Sequence, residues 1–190
     1  MEAGRLAGAG AAVKRMSGGR RLPGPISPRR KAAYDAPMAM DQPSAGRFEG
    51  RVHLLPVRVY YEDTDFTGLV YHATYLRYLE RGRSDYLRAI GVSHADLLAE
   101  TPPSAYALTK IALEYRAAAR IDDALLVCTT YDEVKGPRLR INQTITRGAH
   151  IVIAATVEAC CISLAGRPKK PSPRLLQRLA PLLAPAASDF

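Results

Sequence analysis

YYEDTDFTGLVYHATYLRYLERGRSDYL, running from Tyr60 to Leu87, is the stretch that decides the fold of this chain. Its first thirteen residues hold three carboxylates (Glu62, Asp63 and Asp65), a glycine (Gly68) and a histidine (His72). DTDFTG (63–68) reads as a loop, because Asp, Thr and Gly supply turn chemistry. From about Tyr71 to Ile90 the period turns helical. Tyr75, Leu79, Gly82, Tyr86 and Ile90 follow one another at spacings of 4, 3, 4 and 4, and Leu76 and Leu87 widen the stripe. Arg77, Arg81, Arg83, Asp85 and Arg88 fall on much of the opposite face, and Gly91 is a stop signal. Gly82 sits inside the apolar stripe, where it costs a helix about 1 kcal/mol relative to Ala. Close approach of the helix to a sheet would justify that cost. A carboxylate just ahead of a helix N-terminus suits chemistry on a carbonyl. The carboxylate can supply a base or nucleophile, and the helix end supplies oriented N–H donors for an oxyanion.

Upstream, LPVRVYYE (55–62) alternates Val57 and Val59 with Arg58 and Tyr60, a strand signal, so the ordered domain is expected to begin near Arg51. Downstream, Ser93 reads as the N-cap of a short helix, HADLLAE, closed before Pro102 and Pro103. Four strand patterns follow, over 105–116, 124–134, 139–146 and 150–164, broken by Lys135-Gly136-Pro137 and Arg147-Gly148. Strand, loop, long helix, short helix and four strands predict an α+β fold, a curved antiparallel sheet with one long helix against it. Such a sheet has an exposed edge, which pairing with another subunit would cover. Residues 1–50 read as a basic tail rich in Gly, Ala, Pro and Arg, 51–170 as the folded domain, and 171–190 as a C-terminal tail in which PRLLQRLAPLLA (173–184) has the pattern of a short peripheral helix.

The chain has 190 residues, enough for one domain with a proper core. Its net charge of +9 is concentrated in the first 40 residues, where only Glu2 and Asp35 oppose the Lys and Arg side chains. The sequence has no glycine–aromatic RNA signature, zinc-finger spacing or basic recognition helix, so no nucleic-acid partner is expected. A phosphate-bearing substrate fits the remaining mild positive balance equally well. Cys128, Cys160 and Cys161 are odd in number and lack metal spacing, which suggests reduced thiols in a cytoplasmic protein and no metal site. No apolar run approaches the ~20 residues of a membrane span, so no integral membrane contact is expected. Residues 3–34 contain no Asp or Glu. An organellar presequence, a disordered tail and a true start at Met38 or Met40 all remain open for them.

Tyr61-Glu62-Asp63-Thr64-Asp65, then Gly68, His72 and Tyr75, resemble the opening of the hotdog-fold acyl-CoA thioesterases. The bacterial Tol–Pal-associated enzymes, relatives of 4-hydroxybenzoyl-CoA thioesterase, are the most similar. LEYRAAARIDDALLV and ISLAGRPKKP extend the resemblance over about 53–175. It implies a five-stranded antiparallel sheet wrapped around one long central helix, assembled as a homodimer with continuous sheets or as a homotetramer. It implies hydrolysis of a coenzyme A thioester with no metal or organic cofactor. The family's catalytic carboxylate lands on Asp65, and its oxyanion contact on the backbone N–H of His72. Phe66 and Thr67 stand where relatives often have small residues.

Asp65 could attack the thioester carbonyl or deprotonate a water, and the alternative is a turn or capping residue. Glu62 and Asp63 read as structural or polar-network groups that could raise the Asp65 pKa by like charge. Gly68 would permit close substrate approach or positive φ. Val70, Tyr71 and His72 would present N–H groups at the helix start, and the His72 imidazole could orient the thioester or protonate the thiolate. Tyr71 and Tyr75, with Tyr78 and Tyr86, could line an acyl pocket, although a helix core accounts for most of them. Glu80 competes with Asp65 as the catalytic carboxylate, against a surface ion pair with Arg77, Arg81 or Arg83. Lys135, Arg138, Arg140, Lys169 and Lys170 are phosphate candidates, with solvated turns as the alternative. His53, His94 and His150 have no assigned role. The substrate reading is acyl-CoA. A non-catalytic partner for acyl-CoA or acyl carrier protein, and a hydratase or dehydratase on the same carriers, are the competing functions.

Overall fold

The computed structural model describes residues 45–183. The expectations for most of the 1–50 tail, including its three alternatives, and for 184–190 therefore lie outside the described residues. Six antiparallel strands form one sheet: β1 (Arg47–Glu49), β2 (Val52–Arg58), β3 (Ala105–Tyr115), β4 (Ala124–Lys135), β5 (Arg138–Arg147) and β6 (His150–Ile162), in the order β1-β2-β4-β5-β6-β3. The helices are α1 (Thr74–Ala89), α2 (His94–Ala99) and α3 (Pro173–Leu179). The expected α+β arrangement of one long helix against an antiparallel sheet is present.

The sixth strand is a correction. Three residues before the expected start at Arg51 form β1, which pairs with β2 through Phe48 opposite His53. Phe48 makes edge contacts with the rings of His53 and Tyr86, and the Gly46 N–H donates to Asp85 Oδ2 at 2.7 Å. The signal was too short to read in sequence, since three residues carry no period.

Helix α1 divides the core. Its first half, with Tyr75, Tyr78 and Leu79, packs on Leu55, Val59, Val127, Ile145 and Val152. Its second half, with Tyr86 and Leu87, packs on Tyr131, Leu139, Ile141 and Val157, which Leu175 and Leu179 of α3 close from the far side. Between the halves lies Gly82. A Cβ there would stand 2.7 Å from Val127 Cγ1 and 2.9 Å from Thr129 Oγ1, so the close approach that its position suggested is real. Gln143 bridges the same seam, donating through Nε2 to the Leu79 carbonyl and to Thr129 Oγ1, both at 2.9 Å.

Two charged residues depart from their expected exposed face. Arg83 and Asp85 are each only 6 % exposed. Arg83 donates to Gln143 Oε1 at 2.8 Å and pairs with Glu80 at 2.5 Å. Asp85 is held by Gly46, by Arg88 at 3.0 Å and beside His53. Buried charges persist when they are paired and hydrogen-bonded in this way. Cys160 and Cys161 are free and both buried, although neighbouring strand residues point to opposite faces. Lys169 crosses this end of β6, its N–H donating to the Cys161 carbonyl.

Candidate active site

The segment between β2 and α1 is fixed mostly by its own backbone. A 3₁₀ turn over Tyr61–Asp63 follows β2, and the buried Asp63 side chain caps it by accepting from the Tyr60 N–H at 2.8 Å. The Asp63 carbonyl then accepts the Tyr71 N–H at 2.9 Å. Bridges between Thr64 and Val70 and between Leu69 and Arg120 tie the loop to itself and to the segment before β4. Asp63 is thus structural, as its sequence context suggested.

At the loop's tip Asp65 is exposed. Its Oδ1 accepts from the Thr67 N–H at 2.8 Å and from the Thr67 hydroxyl at 2.6 Å. Thr67, first through the hydroxyl and then through the N–H, holds the Asp65 carboxyl below its ordinary pKa. The expectation that Glu62 or Asp63 would raise it is corrected, because Thr67's hydrogen bonds to the charged form prevail over any like-charge effect. Gly68 turns the chain with φ +75° and has open space where a Cβ would stand. Its requirement is conformational.

Helix α1 starts at Thr74 rather than Tyr71, and Ala73 caps it without any side-chain hydrogen bond. The reason is tertiary. The Val70 N–H is taken by the Ala119 carbonyl and the Tyr71 N–H by the Asp63 carbonyl, each at 2.9 Å. Of the three amides expected to face a ligand, these two are occupied. Among the described residues the His72 N–H has no acceptor. The free amide lies at the positive end of a sixteen-residue helix.

Asp65, Leu69, Val70, His72, Tyr75, Tyr115 and Arg116 contribute to one open cleft of about 350 Å³. Tyr75 is only 3 % exposed, and its hydroxyl accepts the Ala119 N–H at 3.1 Å, so it braces the cleft wall more than it offers a surface. Val70 is likewise buried. Tyr71 is outside the lining. Its half-exposed ring lies against the His72 imidazole, centroids 4.2 Å apart. Glu80 is in a different cavity, with Arg83, His94 and Tyr106, where Arg83 and the Ser84 hydroxyl occupy its carboxylate.

Three residues of the site had no sequence signal for their place. Thr67 reads in sequence as a turn residue and a variable position, with no sign that it contacts Asp65. Tyr115 donates to the His72 carbonyl at 3.1 Å from the end of β3, and Arg116 follows it, pairing with Glu114 at 2.9 Å. Their proximity is created by folding, forty residues away in sequence. Among the phosphate candidates, Lys169 is committed elsewhere, donating to the Pro102 carbonyl and to Ser104 Oγ, both at 2.9 Å. Lys135 and Arg138 flank the β4–β5 turn.

Three comparisons bear on this site. An "Acyl-CoA thioesterase YbgC" of Haemophilus influenzae is 43 % identical over 109 residues, 57 % of this chain and 79 % of the relative. An "Acyl-CoA thioester hydrolase YbgC" of Escherichia coli is 39 % identical over 124 residues, 65 % of this chain and 88 % of the relative. A crystal structure of a probable thioesterase from Bartonella henselae superposes with a TM-score of 0.62 at 33 % identity, over 64 % of this chain and 99 % of that one. The helix cradled by an antiparallel sheet is accordingly the hotdog fold. Residues 59–179, which contain the Asp65 loop, the bare start of α1 and every strand that frames them except β1 and β2, match the Thioesterase-like superfamily, and this chain belongs to it.

Proposed function

We propose that the chain hydrolyses acyl-CoA thioesters to the free acid and coenzyme A, with Asp65 as the reactive carboxylate. The observation that carries this reading is the shared cleft, in which an ionised carboxylate and an acceptor-free helix-start amide meet. The thioester carbonyl sits with its oxygen on the His72 N–H, and charge developing there is stabilised by the helix start. Asp65 either attacks the carbonyl carbon, expelling the thiolate and leaving a mixed anhydride for water to open, or draws a proton from the attacking water. Both routes use the ionised carboxylate, the form that the Thr67 hydrogen bonds favour. The His72 side chain is exposed at the mouth, where it can orient the thioester or return a proton to the thiolate. Arg116 is the cation of the cleft and the first candidate for a coenzyme A phosphate.

The same reading includes a second copy of the chain. Strand β3 is eleven residues long and forms one edge of the sheet, paired only with β6. Leu108 and Ile111 are exposed on it. A long edge of this kind is an open template for antiparallel pairing, and a homodimer joined there would make the two sheets continuous. Because Tyr115 ends this strand and Arg116 follows it, dimerisation would also frame the cleft.

Thiol release from short, long and aromatic acyl-CoAs by wild type and Asp65→Asn tests the assignment. We expect Asp65→Asn to lose about 10²-fold or more in kcat while folding and binding are kept. Equal turnover in both proteins would move the chemistry to Glu80 or His72. Saturable acyl-CoA or acyl-carrier-protein binding with no turnover in either would make the chain a binding partner instead, and conversion of an enoyl thioester without thiol release would make it a hydratase.

A further inference from the structure

We infer that Thr67 is a positioning residue of the thioesterase reaction, its hydroxyl clamping Asp65 Oδ1 so that the carboxylate meets the thioester in one fixed orientation. The inference rests on the reading of Asp65 as the reactive carboxylate. An ionised carboxylate has no proton to give, so in the 2.6 Å contact the Thr67 hydroxyl is the donor. The Thr67 N–H, at 2.8 Å, donates to the same oxygen. Oδ1 thus carries two hydrogen bonds from one residue, and the Leu69 N–H lends the carboxylate a weaker third contact.

This asymmetry has chemical consequences. A free carboxylate spins about its Cβ–Cγ bond and divides its charge equally between two oxygens. Two donors on Oδ1 stop that rotation and set the two oxygens in different environments. The arrangement is built within the loop tip. The Asp65 N–H donates to the Leu69 carbonyl at 2.9 Å and the Gly68 N–H to the Asp65 carbonyl at 3.0 Å, which fixes the backbone on both sides of Thr67. Rotation of an exposed carboxylate would otherwise be fast, and holding reacting atoms in line is worth orders of magnitude in rate. The two donors also stabilise the charged form, keeping Asp65 ionised when acid would begin to protonate an ordinary aspartate.

The inference separates the hydroxyl from the rest of the residue. Thr67→Val keeps shape, β-branching and the backbone N–H bond, so the loop retains its other hydrogen bonds. Thr67→Ser keeps the donor and removes only a methyl group. The experiment measures kcat and KM for acyl-CoA hydrolysis by wild type, Thr67→Val, Thr67→Ser and Asp65→Asn, with ¹³C NMR titration of the Asp65 carboxyl in the first three. We expect Thr67→Val to lose at least about tenfold in kcat at nearly unchanged KM, the signature of an interaction that acts in the transition state. Its Asp65 pKa should rise measurably, because one donor to the charged form is gone. Thr67→Ser should stay within about threefold of wild type in kcat, since the charge-assisted bond is retained. Full activity in Thr67→Val, with Asp65→Asn inactive, overturns the role of Thr67 and leaves Asp65 in place. A kcat loss shared by Val and Ser, with no change in the Asp65 titration, also overturns it, because the methyl packing and not the donor would then matter. An active Asp65→Asn removes the underlying reading, and the inference with it.

Discussion

Burial and a neighbouring carboxylate pull the His53 imidazole in opposite directions. The ring is wholly buried against Phe48 and Tyr86, with Nε2 3.2 Å from Asp85 Oδ2, and burial wins, so its pKa lies below the ordinary 6.5. The unfolded chain therefore binds a proton on this residue at a pH where the folded chain does not. Stability rises with pH wherever the unfolded state holds more protons. As pH falls below about 6.5 the fold loses stability, and it goes on losing it until the folded-state pKa is passed. Thermal unfolding between pH 8 and 5 should show this slope, and His53→Gln should flatten it. The residues that could be read from sequence are those whose meaning is local: Asp65 in its turn, Gly68 at positive φ and Gly82 in its stripe. His53 could not be read this way, because its properties come from partners on β1 and α1 that no spacing announces.

Helix α1 was legible because its apolar period is long, and its start was not. Tyr71 continues the helical pattern, yet its N–H goes to Asp63 and that of Val70 to Ala119, so the helix begins three residues later. Buried charge was equally hidden. Arg83 and Asp85 look like surface residues by type, and only the sheet and β1 reveal their partners. The place where α1 crosses the sheet gives a sharp test. Gly82→Ala gains about 1 kcal/mol of helix propensity. It also forces a Cβ to within 2.7 Å of Val127 and 2.9 Å of Thr129. Overpacking of this kind costs about 1–3 kcal/mol, so denaturant unfolding should show a net loss of order 1 kcal/mol. A stabilised variant would mean that the helix can lift off the sheet at little cost.

For the whole molecule, the long β3 edge is the feature with most at stake. If two copies pair there, charges placed on its exposed apolar residues should separate them. Leu108→Glu with Ile111→Glu is expected to convert a dimer into a monomer in sedimentation velocity, and to lower turnover because Tyr115 ends that strand and Arg116 follows it. A wild type that sediments as a monomer, or a variant that stays dimeric, would assign the contact to another surface. The sheet's architecture followed from alternation and turn residues along 105–164, and these were sufficient for the strand count after α1. The three-residue β1 and the meeting of β3 with the Asp65 loop come only from closure of the fold.

The Asp65 loop is fastened chiefly through main-chain groups: Val70 to Ala119, Tyr71 to Asp63, Asp65 to Leu69. Those bonds survive most side-chain exchanges, and the outward-facing positions Tyr61, Phe66 and Tyr71 bear little of the load. The arrangement therefore separates heritable scaffold from adjustable surface. Substitutions at Tyr61, Phe66 or Tyr71 can accumulate there without unsettling the main-chain bonds that hold the loop, making its rim a natural starting point for directed evolution.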